Sequence, residues 1–206
     1  MQFRKNTAVA LIGGGGHAYV VLETLTSVKV QVDFVVDPKI KNFRDSSIEV
    51  LKNLEDLKLK EFDNIDFYIG IGDAKLRNAL VAEIKSMFNK FEFPKLIHPN
   101  SVIYSNVNIG EGTQILAGSI IGPNTKIGSF SILNHFVLVD HDCKIGDFCN
   151  LSPRVSLGGN VFLEDRTFVG IGAAISNNIH VSSNSIIGAL TFLNKDLPVN
   201  SKYLGH

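Results

Sequence analysis

Counted in sixes from Ile97, every position through Leu193 is Ile, Leu or Val, with no insertion or deletion. A helix repeats every 3.6 residues and a simple strand alternates in twos, so neither accounts for a strict hexad. A short strand followed by a corner does. Three such units close a triangular coil of about 18 residues, and stacked coils pair each other's backbone groups around a column of aliphatic side chains. The residue two before each aliphatic is small or β-branched, as at Thr113, Ser119, Ser131, Val137, Cys143, Cys149 and Val155. It is expected to share the crowded interior. Glycine often follows the aliphatic, as at Gly110, Gly122, Gly128 and Gly146, where it is expected to relieve the corner. Residues 97–193 thus predict five to six coils of a parallel β-helix.

The first half follows another pattern. Residues 7–12 read as an apolar strand, Gly13–Gly16 as a turn and residues 18–27 as a helix. Residues 30–36 and 66–71 read as a second and third strand. Residues 75–89 read as a helix with an apolar stripe at Leu76, Leu80, Ile84 and Phe88. Strand, glycine-rich turn, helix and strand open a parallel α/β unit. The predicted division is a Rossmann-like subdomain over 1–92 and an all-β helix domain over 93–206.

Composition narrows the function. Twenty basic residues balance twenty acidic ones, which removes the electrostatic drive for coating nucleic acid. No apolar run is long enough to span a bilayer, and the start, Met1 to Lys5, lacks a secretory signal's apolar core. A soluble cytoplasmic protein is expected. Cys143 and Cys149 are too few for a disulfide scaffold and too isolated for zinc, so no metal is expected.

One coil corner carries the strongest chemical signal, Val139-Asp140-His141-Asp142-Cys143. An imidazole flanked by carboxylates suits a general base, and either Asp140 or Asp142 could orient it. Counting one coil onward from His141 gives Gly159 and then Asn177, which leaves an open slot beside the ring. His135, Pro153, Ile171 and Ala189 form a column on another edge, and His135 is the rival base. His98 reads as a linker residue and His180 as exposed structure. Both cysteines fall on the small inward position and read as buried apolar residues rather than nucleophiles.

In the first half, Gly13–His17 joins a strand to a helix N-terminus, where backbone N–H groups favour a phosphate. Asp37 ends the second strand and Gly72 the third. There a carboxylate could accept from a ribose or base, and a glycine would allow close backbone approach.

The strings Leu11-Ile12-Gly13-Gly14-Gly15-Gly16-His17, Ile71-Gly72-Asp73-Ala74-Lys75-Leu76-Arg77, Ile97-His98-Pro99 and Val139 to Phe148 resemble a known family. It is that of the bacterial hexapeptide-repeat sugar O-/N-acetyltransferases, of the sialic-acid O-acetyltransferase type, closest to those acting on UDP-4-amino-sugars. The resemblance implies a left-handed β-helix, a homotrimer with active sites between subunits, and acetyl-CoA as co-substrate. It implies N-acetylation of the 4-amino group of a nucleotide-linked deoxyamino-sugar for surface glycans. O-acetylation of sialic acid is the alternative, and a non-catalytic trimeric scaffold a further one. By the same matching, Gly15, Gly16, His17, Asp37 and Gly72 hold the nucleotide sugar. His141 is the general base and Asp142 its partner. Asn150, Gly159, Ile171 and Ala189 line the acetyl-CoA groove, and Lys195 or Lys202 reaches its phosphates. The chain departs from the family at Asn150, where many members carry histidine, and at Val36, where an acidic residue often precedes the equivalent of Asp37. It also stops at His206, short of the family's usual tail.

Overall fold

The computed structural model describes residues 7–60 and 62–205; the readings made of Met1–Lys5 and of His206 lie outside them. The chain divides into two units, residues 1–94 and 95–206.

The first unit is a five-stranded parallel sheet with helices between its strands. Its strands are β1 (Thr7–Ile12), β2 (Phe34–Val36), β3 (Glu49–Leu51), β4 (Asn64–Ile69) and β5 (Phe91–Glu92), in the order β3-β2-β1-β4-β5. Strand β1 is central and pairs along its full length with β4, which is why its apolar run reads so clearly. The connections are α1 (Gly16–Ser27), α2 (Leu54–Lys58) and α3 (Ala74–Met87).

Three expectations need correction here. Of the expected 30–36 strand only Phe34–Val36 is regular strand, because Lys29 turns the chain at φ 60° and the Asp33 carboxylate takes the Val9 N–H. Strand β3 and helix α2 have too few residues for a periodic signal to register, so the strand expected third is the fourth. The expected stripe of α3 holds at Ile84 and Phe88, which are buried, but further up the helix the buried residues are Arg77 and Val81, not Leu76 and Leu80. Those two leucines line a cavity instead.

The second unit is a left-handed parallel β-helix of two-residue strands. Residues 18 apart pair in parallel register through all three faces, as in Ile121 with Val139, Ile127 with Ile145 and Leu133 with Leu151. The hexad aliphatics from Ile109 to Leu193 are buried, and Ile97 and Ile103 are half-buried at the first coil. Each buried aliphatic contributes about 1.5–3 kcal/mol against leaving it exposed, so the column is the domain's main stabilising element.

The glycines act differently from expectation. The left-handed conformation that turns each corner lies three residues after the inward aliphatic and is mostly carried by other residues: Asn106, Asn124, Phe136, Asp142 and Arg154 all have φ near 60°. The glycines directly after the aliphatic permit coil-to-coil contact. A Cβ on Gly110 would lie 2.5 Å from the Ser129 backbone, and one on Gly122 2.7 Å from that of Asp140. Pairing at sheet spacing leaves no room for a methyl group there.

Candidate active site

In the first unit, Gly13 and Gly70 are fixed by the fold: Gly13 has φ +101°, and a Cβ on Gly70 would strike Ala18 of α1, whereas one on Gly14 would press only on the Ile40 side chain. Gly15, Gly16 and Gly72 differ, because a Cβ on any of them meets nothing within 4 Å. Internal packing therefore does not require glycine at these three expected ligand positions.

Helix ends follow the same division. Asn53 caps α2 by accepting from the Asp56 N–H, and Asp73 caps α3 by accepting from Leu76. Gly15 caps α1 with no side-chain bond and no acidic residue in the first turn, leaving the positive end of its dipole facing outward.

Asp37 follows β2, and its carboxylate accepts from Gly14 N–H at 2.8 Å and from Lys39 N–H at 2.7 Å. It therefore ties the glycine loop to the β2 end and keeps acceptor capacity for a ligand. Asp37 also lines a cavity of about 480 Å³ with Gly13, Ile71, Leu76 and Leu80. The cavity lies at the carboxyl ends of the parallel strands, where open α/β sheets bind ligands. Sequence reasoning missed Arg77. It is almost fully buried and donates to the carbonyls of Ile71 and Gly72 at 2.9 and 2.8 Å, fixing the loop that carries Gly72. Its signal was its place four residues before Val81 on the buried stripe.

In the β-helix, His141 Nδ1 lies 2.7 Å from Asp142 Oδ2. A carboxylate only accepts, so Nδ1 carries the proton and Nε2 presents its lone pair. Asp140 instead accepts from the His141 backbone N–H at 2.8 Å, which resolves the choice between the two flanking carboxylates. Both members of the pair are about half exposed. The hydrogen bond that His141 donates to Asp142 raises the His141 pKa above its ordinary value, aided by the charge of Asp140. The hydrogen bonds from His141 and Asn124 lower that of Asp142. The ring lies directly over Gly159, where a Cβ would come within 2.5 Å of Nε2, so the slot read from coil counting is where the imidazole sits.

Other candidates are less suited to base chemistry. His135 is half-buried, its pKa lowered first by desolvation and then by the charge of His98. His180 stacks on Phe162 and bonds Glu164 at 2.8 Å, so it is a packed residue and not merely an exposed one. Burial pushes the Cys143 thiol up to about 11, and both cysteines are buried. Among the described residues, no three His, Cys, Asp or Glu side chains converge as metal ligands would.

The residues expected to line a groove occupy their register. Gly172 N–H donates to Pro153 and Leu190 N–H to Ile171, which stacks Pro153, Ile171 and Ala189 on one edge. Ile171 is exposed there, and Asn150 is half-buried on the face that leads into this edge. Among the described residues, no helix is long and apolar enough to cross a membrane.

A β-helix of hexapeptide coils with a His–Asp pair at one corner, accompanied by an α/β unit, defines a recognised class of acyltransferase folds. Residues 8–84 match the PglD N-terminal domain family. The chain is 31% identical to a histidine-to-alanine variant of GDP-perosamine N-acetyltransferase from Caulobacter crescentus, solved in complex with CoA and GDP-perosamine. That likeness covers 96% of this chain and 93% of the other, with a TM-score of 0.87. Over 113 residues it is 30% identical to GDP-perosamine N-acetyltransferase of Escherichia coli O157:H7, covering 55% of this chain and 50% of that protein. It is also 31% identical over 113 residues to UDP-N-acetylbacillosamine N-acetyltransferase of Bacillus subtilis (strain 168), covering 53% and 51%. The chain thus spans about half the length of these two curated relatives in the match. It belongs to the hexapeptide-repeat sugar acetyltransferase family.

Proposed function

We propose that this protein transfers the acetyl group of acetyl-CoA to the 4-amino group of a nucleoside-diphosphate-linked deoxyamino-sugar used in surface glycans. The observation that carries the reading is the His141–Asp142 pair, 2.7 Å apart, with Nε2 free to take a proton. The amine nitrogen attacks the thioester carbonyl as His141 Nε2 takes the proton that nitrogen loses. The tetrahedral intermediate collapses, the C–S bond breaks, and the CoA sulfur leaves with the proton that His141 returns. Asp142 holds the Nδ1–H tautomer and balances the imidazolium that forms.

Acetyl-CoA is the co-substrate, and Asn150, Gly159, Ile171 and Ala189 line its groove. The relatives described above that bind CoA or act on nucleotide-linked amino-sugars support this assignment. The nucleotide sugar is held by Gly15, Gly16 and His17 at the open end of α1, and by Asp37 and Gly72. The absence of packing demands at Gly15, Gly16 and Gly72 supports that role. The relatives divide between GDP- and UDP-sugars; uridine is the base proposed from the resemblance, and an acceptor panel tests it. Three copies assemble with active sites between subunits. Supporting this, Val102, Ile120 and Leu138 form an exposed apolar run along one sheet face, and Phe192 is exposed on the same face beyond Ser156 and Ala174.

The test is release of CoA thiol from acetyl-CoA with GDP- and UDP-linked 4-amino-sugars, against free sialic acid. Turnover with a nucleotide-linked amino-sugar is expected, reduced by orders of magnitude in His141→Ala with acetyl-CoA binding retained. Acceptance of sialic acid alone would replace the reading with O-acetylation. No acetyl-CoA binding at all would leave a scaffold.

A further inference from the structure

The corner that carries His141 turns through one residue per coil in the left-handed region. These residues form a column: Asn106, Asn124, Asp142, Asn160 and Asn178, with φ between 56° and 61°. Asparagine suits such a column, since it tolerates the left-handed conformation and its amide can accept from one neighbour while donating to the next. Asn106 Nδ2 donates to Asn124 Oδ1 at 3.2 Å, and Asn160 Nδ2 donates to Asn178 Oδ1 at 2.9 Å.

Asp142 interrupts the ladder. A carboxylate has nothing to donate to Asn160, but both its oxygens accept. Oδ1 takes Asn124 Nδ2 at 3.1 Å and Oδ2 takes His141 Nδ1 at 2.7 Å. One substitution in a run of asparagines therefore turns a structural ladder into a chain that ends on the imidazole: Asn106, Asn124, Asp142, His141.

We infer that Asn124 is a positioning residue, whose amide fixes the plane of the Asp142 carboxylate so that Oδ2 holds the His141 ring over Gly159. The name general base for His141 rests on the proposed function; the alignment itself does not. Asp142 is half exposed, and without Asn124 its carboxylate is free to rotate away from the ring. The charged groups acting on His141 are Asp142 and Asp140. The preceding coil contributes Pro123 and Asn124 at this corner and the following coil Gly159 and Asn160, none of them ionisable.

The test compares Asn124→Gly with Asn106→Gly in the full chain. Glycine adopts the left-handed conformation without strain, so neither variant is forced out of the corner. The imidazole nitrogens of His141 are followed by NMR across pH, and kcat and KM are measured with the accepted sugar. In Asn124→Gly the His141 midpoint is expected to fall towards its ordinary value. Its kcat is expected to fall roughly tenfold, as when a histidine loses the partner that orients it, while KM for acetyl-CoA stays level. Asn106→Gly should leave the midpoint and kcat unchanged. An unmoved midpoint in Asn124→Gly, an upward shift, or equal effects in both variants would overturn the inference. If no sugar is acetylated by the parent protein, the NMR midpoint still decides the positioning role, and only the proposed reaction fails.

Discussion

A single methyl group at Gly159 separates the catalytic reading from a merely structural one. In Gly159→Ala the new Cβ would lie 2.5 Å from His141 Nε2 and 2.6 Å from Cε1. Ordinary contact between such atoms is about 3.5 Å, so the ring must withdraw by roughly 1 Å. It can do so at little cost to folding, because it is half exposed and can swing towards solvent; the loss of stability should stay near 0.5 kcal/mol. Catalysis does not share that tolerance, because misplacing a reacting group by about 1 Å costs on the order of 100-fold. The ring would also leave Asp142, so its pKa should fall towards the ordinary value. The assay is steady-state kinetics with thiol detection, alongside thermal unfolding. A 100-fold loss of kcat with a nearly unchanged melting temperature is expected. A kcat within twofold of the parent, with loss confined to the KM for acetyl-CoA, would refute the steric argument and leave Gly159 as a cofactor contact only. Gly158→Ala provides the contrast: its Cβ would lie 2.8 Å from the backbone nitrogen of Asn177, which cannot swing away, so stability should drop by about 1–3 kcal/mol.

The pH profile follows from the His141–Asp142 bond. A base must be neutral to act, so kcat/KM should rise with pH about a midpoint above that of a free histidine; Asp142→Asn should lower both midpoint and activity, and an unshifted midpoint would remove Asp142 from the pair. Linkage runs the other way: because folding raises this pKa, the stabilisation it brings is present at acid pH and lost as pH rises through the folded value. With the Cys143 thiol raised to about 11 and both cysteines buried, a disulfide reagent at pH 8 should titrate neither thiol until the protein is unfolded. Leu151→Ala should cost about 2–5 kcal/mol in chemical denaturation, since Leu151 is fully enclosed in the aliphatic column.

Much of this protein is legible in one dimension because each coil satisfies its neighbours at a fixed spacing. The β-helix, the buried cysteines and the place of His141 beside Gly159 all follow from counting, since an 18-residue translation is also a spatial one. Strand β1 and helix α1 were readable for a related reason: long apolar pairing and a glycine-rich turn are local signals. The sequence alone could not say which aspartate partners His141. That depends on the Asp142 backbone lying in the left-handed region and turning its carboxylate to the ring, while Asp140 is occupied by a backbone N–H. Nor could it separate glycines that admit a neighbouring coil from those that leave open space, because the difference lies in what stands 3 Å away across the fold. Arg77 and Asn124 were hidden for the same reason. Their partners, the loop carbonyls and a carboxylate one coil away, are brought to them only when the chain closes on itself.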